Sequence, residues 1–108
     1  MKNMSDWIEV EAVGAFEPGT RKVVELDGTM VVVFHHDDGH FYAVEDICTH
    51  DGGELATGRI EGDDIICPRH GAHFCIKTGE AMSPLAYESI RTFSVRIKDN
   101  LVQVKDDR

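Results

Sequence analysis

Apolar positions along this 108-residue chain fall in short runs separated by acidic residues, asparagine and glycine. Val23-Val24-Glu25-Leu26 meets Thr29-Met30-Val31-Val32-Val33-Phe34 across Asp27-Gly28. An Asp-Gly pair between two β-branched runs predicts a tight hairpin. Asp37-Asp38-Gly39 gives a second reversal before Phe41-Tyr42-Ala43-Val44. Asp63-Asp64-Ile65-Ile66 predicts a short strand that delivers Cys67, and His73-Phe74-Cys75-Ile76 a further strand ending at Thr78-Gly79. Toward the C-terminus Phe93-Ser94-Val95-Arg96-Ile97 alternates with period two, and Lys98-Asp99-Asn100 turns the chain into Leu101-Val102-Gln103-Val104. No segment sustains a helical period, and the best helical candidate is a short turn near Gly53-Glu54-Leu55-Ala56. The pattern predicts an all-β fold: an antiparallel β-sandwich or barrel, as a single domain over residues 1–108.

Composition changes this picture in the middle of the chain. Residues 45–85 hold all three cysteines, two of the three prolines and six of the ten glycines. That concentration predicts a loop-rich metal-binding subdomain inserted in the β frame. A chain this small buries a modest fraction of its surface, and only 7% of its residues are aromatic, so a metal tying two loops together would add useful stability. Twenty acidic against eleven basic residues give a net charge of −9, which excludes a nucleic-acid partner. The charge suits an acidic carrier that meets basic partners, with plain solubility as the alternative. Met1-Lys2-Asn3-Met4-Ser5-Asp6 leads directly into Trp7-Ile8-Glu9-Val10 with no signal-peptide run. No stretch approaches the roughly 18 apolar residues of a membrane span, so no membrane partner is expected. The odd cysteine count then points to a reducing, cytoplasmic location, where cysteine beside histidine predicts metal ligation rather than a disulfide.

The candidate chemistry lies in two short pairs, Cys48-Thr49-His50 and Cys67-Pro68-Arg69-His70, with sixteen residues between them. Each pair sets a soft thiolate beside an imidazole. Two thiolates and two ring nitrogens can close a four-ligand mononuclear site or hold a two-iron cluster. Both pairs share a frame: Asp46-Ile47-Cys48-Thr49-His50-Asp51-Gly52 parallels Ile65-Ile66-Cys67-Pro68-Arg69-His70-Gly71. An apolar residue precedes each cysteine, and glycine follows each histidine within two residues. Glycine lets backbone amides approach an anionic ligand closely. Pro68 has no N–H and stiffens the second loop. A structural zinc site with the same four residues is the alternative, colourless and redox-inert.

This C-x-H…C-x-x-H arrangement resembles the Rieske iron–sulfur signature. The resemblance extends over most of the chain and includes Met82-Ser83-Pro84-Leu85, which looks like the proline loop that covers the cluster in that family. It implies one Rieske 2Fe-2S cluster, with Cys48 and Cys67 on one iron and His50 and His70 on the other. Two ferric ions, two sulfides, two thiolates and neutral imidazoles cancel to zero net charge. An all-cysteine cluster carries two further negative charges and resists reduction, so the mixed set raises the potential into a range of roughly −150 to +300 mV. High-potential members carry a disulfide between the ligand loops and hydroxyl groups near the cluster. Here Gly53 and Arg69 stand where the bridging cysteines are expected, and Ala72 and Phe74 where the hydroxyls are expected. The resemblance therefore implies the low-potential subtype, similar to the ferredoxins of bacterial ring-hydroxylating dioxygenase systems. Those proteins carry one electron at a time from an NAD(P)H-dependent flavoprotein ferredoxin reductase to a terminal oxygenase that acts in aromatic hydrocarbon catabolism. The chain is expected to be such a carrier and not an enzyme, since a mononuclear iron site needs a further domain. An iron–sulfur redox sensor and a housekeeping ferredoxin remain alternatives.

Other polar residues carry plainer expectations. Cys75 reads as a small buried hydrophobe and His73 as a surface histidine. His35, His36 and His40 flank a hairpin turn beside two aspartates and read as a solvated turn, with a second metal site as the alternative. Trp7 is expected to pack near a sheet edge. Asp37-Asp38 and Asp63-Asp64 are expected in solvated turns.

Overall fold

The hairpin across Asp27-Gly28 forms as the sequence predicts. A computed structural model describes residues 7–49, 51–83 and 88–106. Strand β1 covers Trp7–Ala12, β2 Arg21–Leu26, β3 Thr29–His35, β4 Phe41–Glu45 and β5 Ile60–Glu61. Strand β6 covers Asp64–Ile66, β7 His73–Cys75, β8 Thr92–Phe93, β9 Val95–Lys98 and β10 Leu101–Lys105. They form three antiparallel sheets of order β1-β10-β9, β2-β3-β4-β8 and β5-β6-β7. Asp27 and Gly28 both have positive φ (50° and 86°), as do Asp99 and Asn100 (53° and 64°). Two consecutive left-handed residues match the right-handed twist of the strands they join, so these sequences close two-residue hairpins.

Strand β3 is buried on both faces, which explains its unbroken apolar run. Val31 and Val33 point into one core with Phe16, Leu26, Ala43, Phe93, Val102 and Val104, between the first two sheets. Val32 and Phe34 point into the other, with Val44, Leu55, Ile65, Phe74 and both Cys48 and Cys67. Each such side chain contributes about 1.5–3 kcal/mol by burial, so β3 couples the frame to the cysteine-bearing loops.

The structure differs from the sequence pattern at two places. The alternating segment 93–97 is not one strand: β8 pairs with β4, and β9 pairs with β10. Ser94 is where the chain passes from one sheet to the other. Strand β1 is an edge strand broken by a bulge between Glu9 and Glu11, which blurs its alternation. Near Gly53–Ala56 there is no helix; a turn closes there through Gly58 N–H donating to the Leu55 carbonyl (2.9 Å). Among the described residues the one helical segment is a 3-10 turn over Val13–Ala15. No helix there is long and apolar enough to cross a membrane.

Candidate metal centre

Each cysteine begins a turn of one design. The Cys48 N–H donates to the Gly53 carbonyl (2.7 Å), and the Cys48 carbonyl accepts from Gly52 N–H (2.7 Å). Cys67 repeats this with Ala72 (2.8 Å) and Gly71 (3.0 Å). Cys75 repeats it again with Glu80 (2.9 Å) and Gly79 (2.7 Å). The turn needs a left-handed residue at its fifth position, and Gly52, Gly71 and Gly79 supply it with φ of 76°, 77° and 78°. The sequence signal for this is Cys-x-x-x-Gly, present three times, and the histidine pairs draw attention away from the third copy.

The first two turns face one another. Cys48 leaves the end of β4, and Cys67 leaves the end of β6; both are buried and neither is in a disulfide. Their sulfurs and a carboxylate oxygen of Asp51 all lie within 4.8 Å of one another. Asp51 Oδ2 also lies 3.3 Å from His70 Nδ1 and 3.7 Å from Cys67 Sγ. Cys48 and Cys67 are thus brought together, and His70 reaches the same carboxylate, Asp51, with its side chain 54% exposed. His50 lies outside the described residues. Two buried thiols with an imidazole on the neighbouring carboxylate are the donor chemistry of a mixed sulfur–nitrogen site, so the residues present fit a two-iron cluster.

Asp51 is the site residue that the motif did not flag. Its carboxylate accepts from Arg69 Nε (2.6 Å) and Nη2 (3.1 Å) and from Gly53 N–H (2.8 Å). Those bonds, Arg69 first, hold Asp51 well below the usual carboxylate range against the opposing effect of burial, and the Asp51 bond raises Arg69 in turn. Only the side chain's place between the loops reveals this role. The glycine and arginine positions expected for bridging cysteines do meet: a Cβ on Gly53 would come within 2.5 Å of the Arg69 guanidinium carbon. Ala72 and Phe74 are fully buried in the core that contains the cysteines.

The ends of the loop expected to cover the site are anchored. Ser83 Oγ accepts from His73 N–H (3.1 Å), Met82 N–H donates to the His73 carbonyl (2.9 Å), and Thr49 Oγ1 donates to the Glu88 carbonyl (2.7 Å). Pro84 and Leu85 themselves lie outside the described residues. Asp46 Oδ1 accepts from Leu55 N–H (2.7 Å) and Ala56 N–H (2.9 Å), and Arg21 donates to the Ala56 (2.8 Å) and Gly58 (2.5 Å) carbonyls, fixing the exit of the first ligand loop.

The remaining candidates separate. His35 Nδ1 contacts the Phe16 carbonyl (2.6 Å) and its ring stacks on Phe41 (4.1 Å); His36 Nε2 pairs with Asp63 (2.8 Å); His40 meets the edge of Tyr42. These different partners leave no shared metal site among the three, and the only group of metal-ligating atoms among the described residues is the one holding Cys48, Asp51 and Cys67. The paired aspartates are not merely solvated. Asp38 accepts from Tyr42 OH (2.7 Å) and His40 N–H (2.9 Å) and lies 3.4 Å from Lys77 Nζ, which reaches Asp63 at 3.5 Å. His73, half-buried, pairs with Asp64 (3.4 Å). Cys75 is half-buried on β7, apart from the other two cysteines, and Arg96 stacks 4.1 Å over Trp7 on edge strand β1. No cysteine lines the cleft of about 560 Å³ beside Arg21, His36, Arg59 and Asp63.

Residues 6–94 match the family described as the Rieske [2Fe-2S] domain. The chain is 33% identical over 102 residues to ferredoxin CarAc of Metapseudomonas resinovorans, covering 94% of this chain and 95% of that one. It is 30% identical over 98 residues to the ferredoxin component of the naphthalene 1,2-dioxygenase system of Pseudomonas putida, covering 91% and 93%. A solved complex of reduced oxygenase and oxidised ferredoxin in carbazole 1,9a-dioxygenase contains a chain that superposes with a TM-score of 0.87, at 33% identity and 96% coverage of both.

Proposed function

The chain belongs to the Rieske [2Fe-2S] domain family, and from that premise we infer how it holds its cluster and which proteins it serves. It is an electron carrier with one Rieske two-iron cluster, and the electron passes to another protein for chemistry. The cluster, when bound, takes up and releases one electron at a time. Cys48 and Cys67 supply the thiolates from the buried side, His70 supplies an imidazole from the exposed side, and His50 supplies the second imidazole. The observation that supports this assignment is the convergence of both buried sulfurs between two turns of equal design, with His70 on the Asp51 carboxylate beside them. Burial at Cys48 and Cys67 excludes water and oxidants from the sulfurs, while the exposure of His70 shortens the distance to a docked partner.

Residues 1–108 act as a single cytoplasmic domain that takes electrons from an NAD(P)H-dependent flavoprotein reductase and delivers them to a terminal oxygenase of the aromatic-ring dioxygenase type. Relatives that are ferredoxin components over nearly their whole length support this, as does the complex in which such a ferredoxin sits on its oxygenase. Buried Ala72 and Phe74 offer no hydroxyl to the sulfurs, which favours a midpoint at the low end of the family range. Reconstitution tests the role. A flavoprotein reductase and a ring-hydroxylating oxygenase should turn over only when the loaded chain is present, with rates that fall as salt screens docking. A chain that is reduced but never passes its electron on would be a sensor.

A further inference from the structure

We propose that Arg69 is a positioning residue that clamps the two cluster-binding turns to each other and sets the charge beside Cys67. Arg69 sits on the second turn, between Cys67 and His70. Its guanidinium reaches across to the first: a two-pronged pair with Asp51 (2.6 and 3.1 Å), a bond to the Glu54 carbonyl (2.7 Å) and one to Glu54 Oε1 (3.3 Å). The same Nη2 lies 3.5 Å from Cys67 Sγ. The fork fixes orientation as well as distance, which a point charge does not. Gly53 leaves the space: any side chain there would meet the guanidinium. The two turns leave different sheets, so their spacing is not set by a shared ladder. Arg69, with its side chain only 34% exposed, joins them where the sulfurs must stay at cluster distance.

Two consequences follow, both resting on the assignment of Cys48 and Cys67 as ligands. The clamp slows cluster loss, because a turn cannot swing away without breaking several charged bonds. The arginine also offsets the Asp51 carboxylate beside the sulfurs and donates toward Cys67, so it favours the more negative, reduced state.

The test uses the full chain loaded with its cluster. Visible absorbance under a chelator gives the lifetime, and a redox titration gives the midpoint. Arg69→Leu should lose the cluster about tenfold faster. It should shift the reduction equilibrium about tenfold toward the oxidised form, about 59 mV downward for one electron. Asp51→Asn/Arg69→Leu restores the local charge but not the clamp, so its midpoint should return toward that of the parent while its lifetime stays short. Arg69→Lys should keep the midpoint and have an intermediate lifetime. A parent-like lifetime in Arg69→Leu, or recovery of lifetime together with midpoint in the double variant, overturns the clamp. If Arg69→Leu cannot be loaded, a parent-like lifetime in Arg69→Lys overturns it. A parent protein that shows no two-iron spectrum refutes the ligand assignment instead.

Discussion

Replacing Asp46 by alanine should release the first ligand loop at its exit while leaving every proposed ligand in place. Asp46 follows β4, two residues before Cys48, and its Oδ1 accepts the N–H groups of Leu55 and Ala56 at 2.7 and 2.9 Å. Leu55 is fully buried, so removing the carboxylate strands two partly buried donors beside a core side chain. A hydrogen bond to a charged group contributes about 1.5–3 kcal/mol. Two bonds that share one oxygen in a partly wet site then give a loss of about 2–4 kcal/mol. That is a large share of the roughly 5–15 kcal/mol that stabilises a domain of this size. Asparagine keeps an acceptor but not the charge, and neutral bonds are about half as strong, so Asp46→Asn should cost about 1–2 kcal/mol. Urea unfolding followed by Trp7 fluorescence reads the global change, and chelator-driven bleaching reads release of the loop. An alanine variant within about 0.5 kcal/mol of the parent would refute the capping role, as would an asparagine variant as damaging as alanine.

Acid should weaken the contact between the third turn and the β3–β4 hairpin. Burial pushes Asp38 up, but hydrogen bonds from Tyr42, His40 N–H and Lys77 outweigh it and hold Asp38 at about 2, below its ordinary 3.8. The folded state therefore binds fewer protons there than the unfolded chain, so this stabilisation is complete above about pH 4 and is lost as pH falls toward about 2. Urea midpoints across that window should fall less steeply for Asp38→Asn than for the parent; equal slopes would contradict the sign. Cys75→Ser should keep the full visible spectrum, because Cys75 is half-buried on β7 and apart from the other cysteines; bleaching would show that it ligates.

The frame of this fold was legible because its strongest signals are local. A five-residue apolar run at Met30–Phe34, and Asp27-Gly28 and Asp99-Asn100 at the turns, each carry their own physical reason. Strand β1 was not legible, since a bulge interrupts its alternation, and the break at Ser94 was hidden because both halves of the segment keep period two. Cys48, Cys67 and His70 stand out by spacing as candidate ligands, and the third turn could have been found from the Cys-x-x-x-Gly repeat. Asp46, Asp51 and Arg69 could not, because the partners that join separate segments lie 9 to 18 residues away. Nothing in the residues nearest to them marks a carboxylate as a cap or an arginine as a bridge. The same holds for Lys77, whose partner Asp38 lies on a hairpin that the sequence presents only as a polar turn.

The central claim is that Cys48, His50, Cys67 and His70 hold one two-iron cluster with mixed ligation. Electron paramagnetic and electron–nuclear double resonance of the reduced chain test this most directly. A two-iron signal with hyperfine coupling to two histidine nitrogens is expected, lost in His70→Ala and in His50→Ala. A colourless protein that binds zinc and takes up no electron, or a cluster without nitrogen coupling, would contradict it.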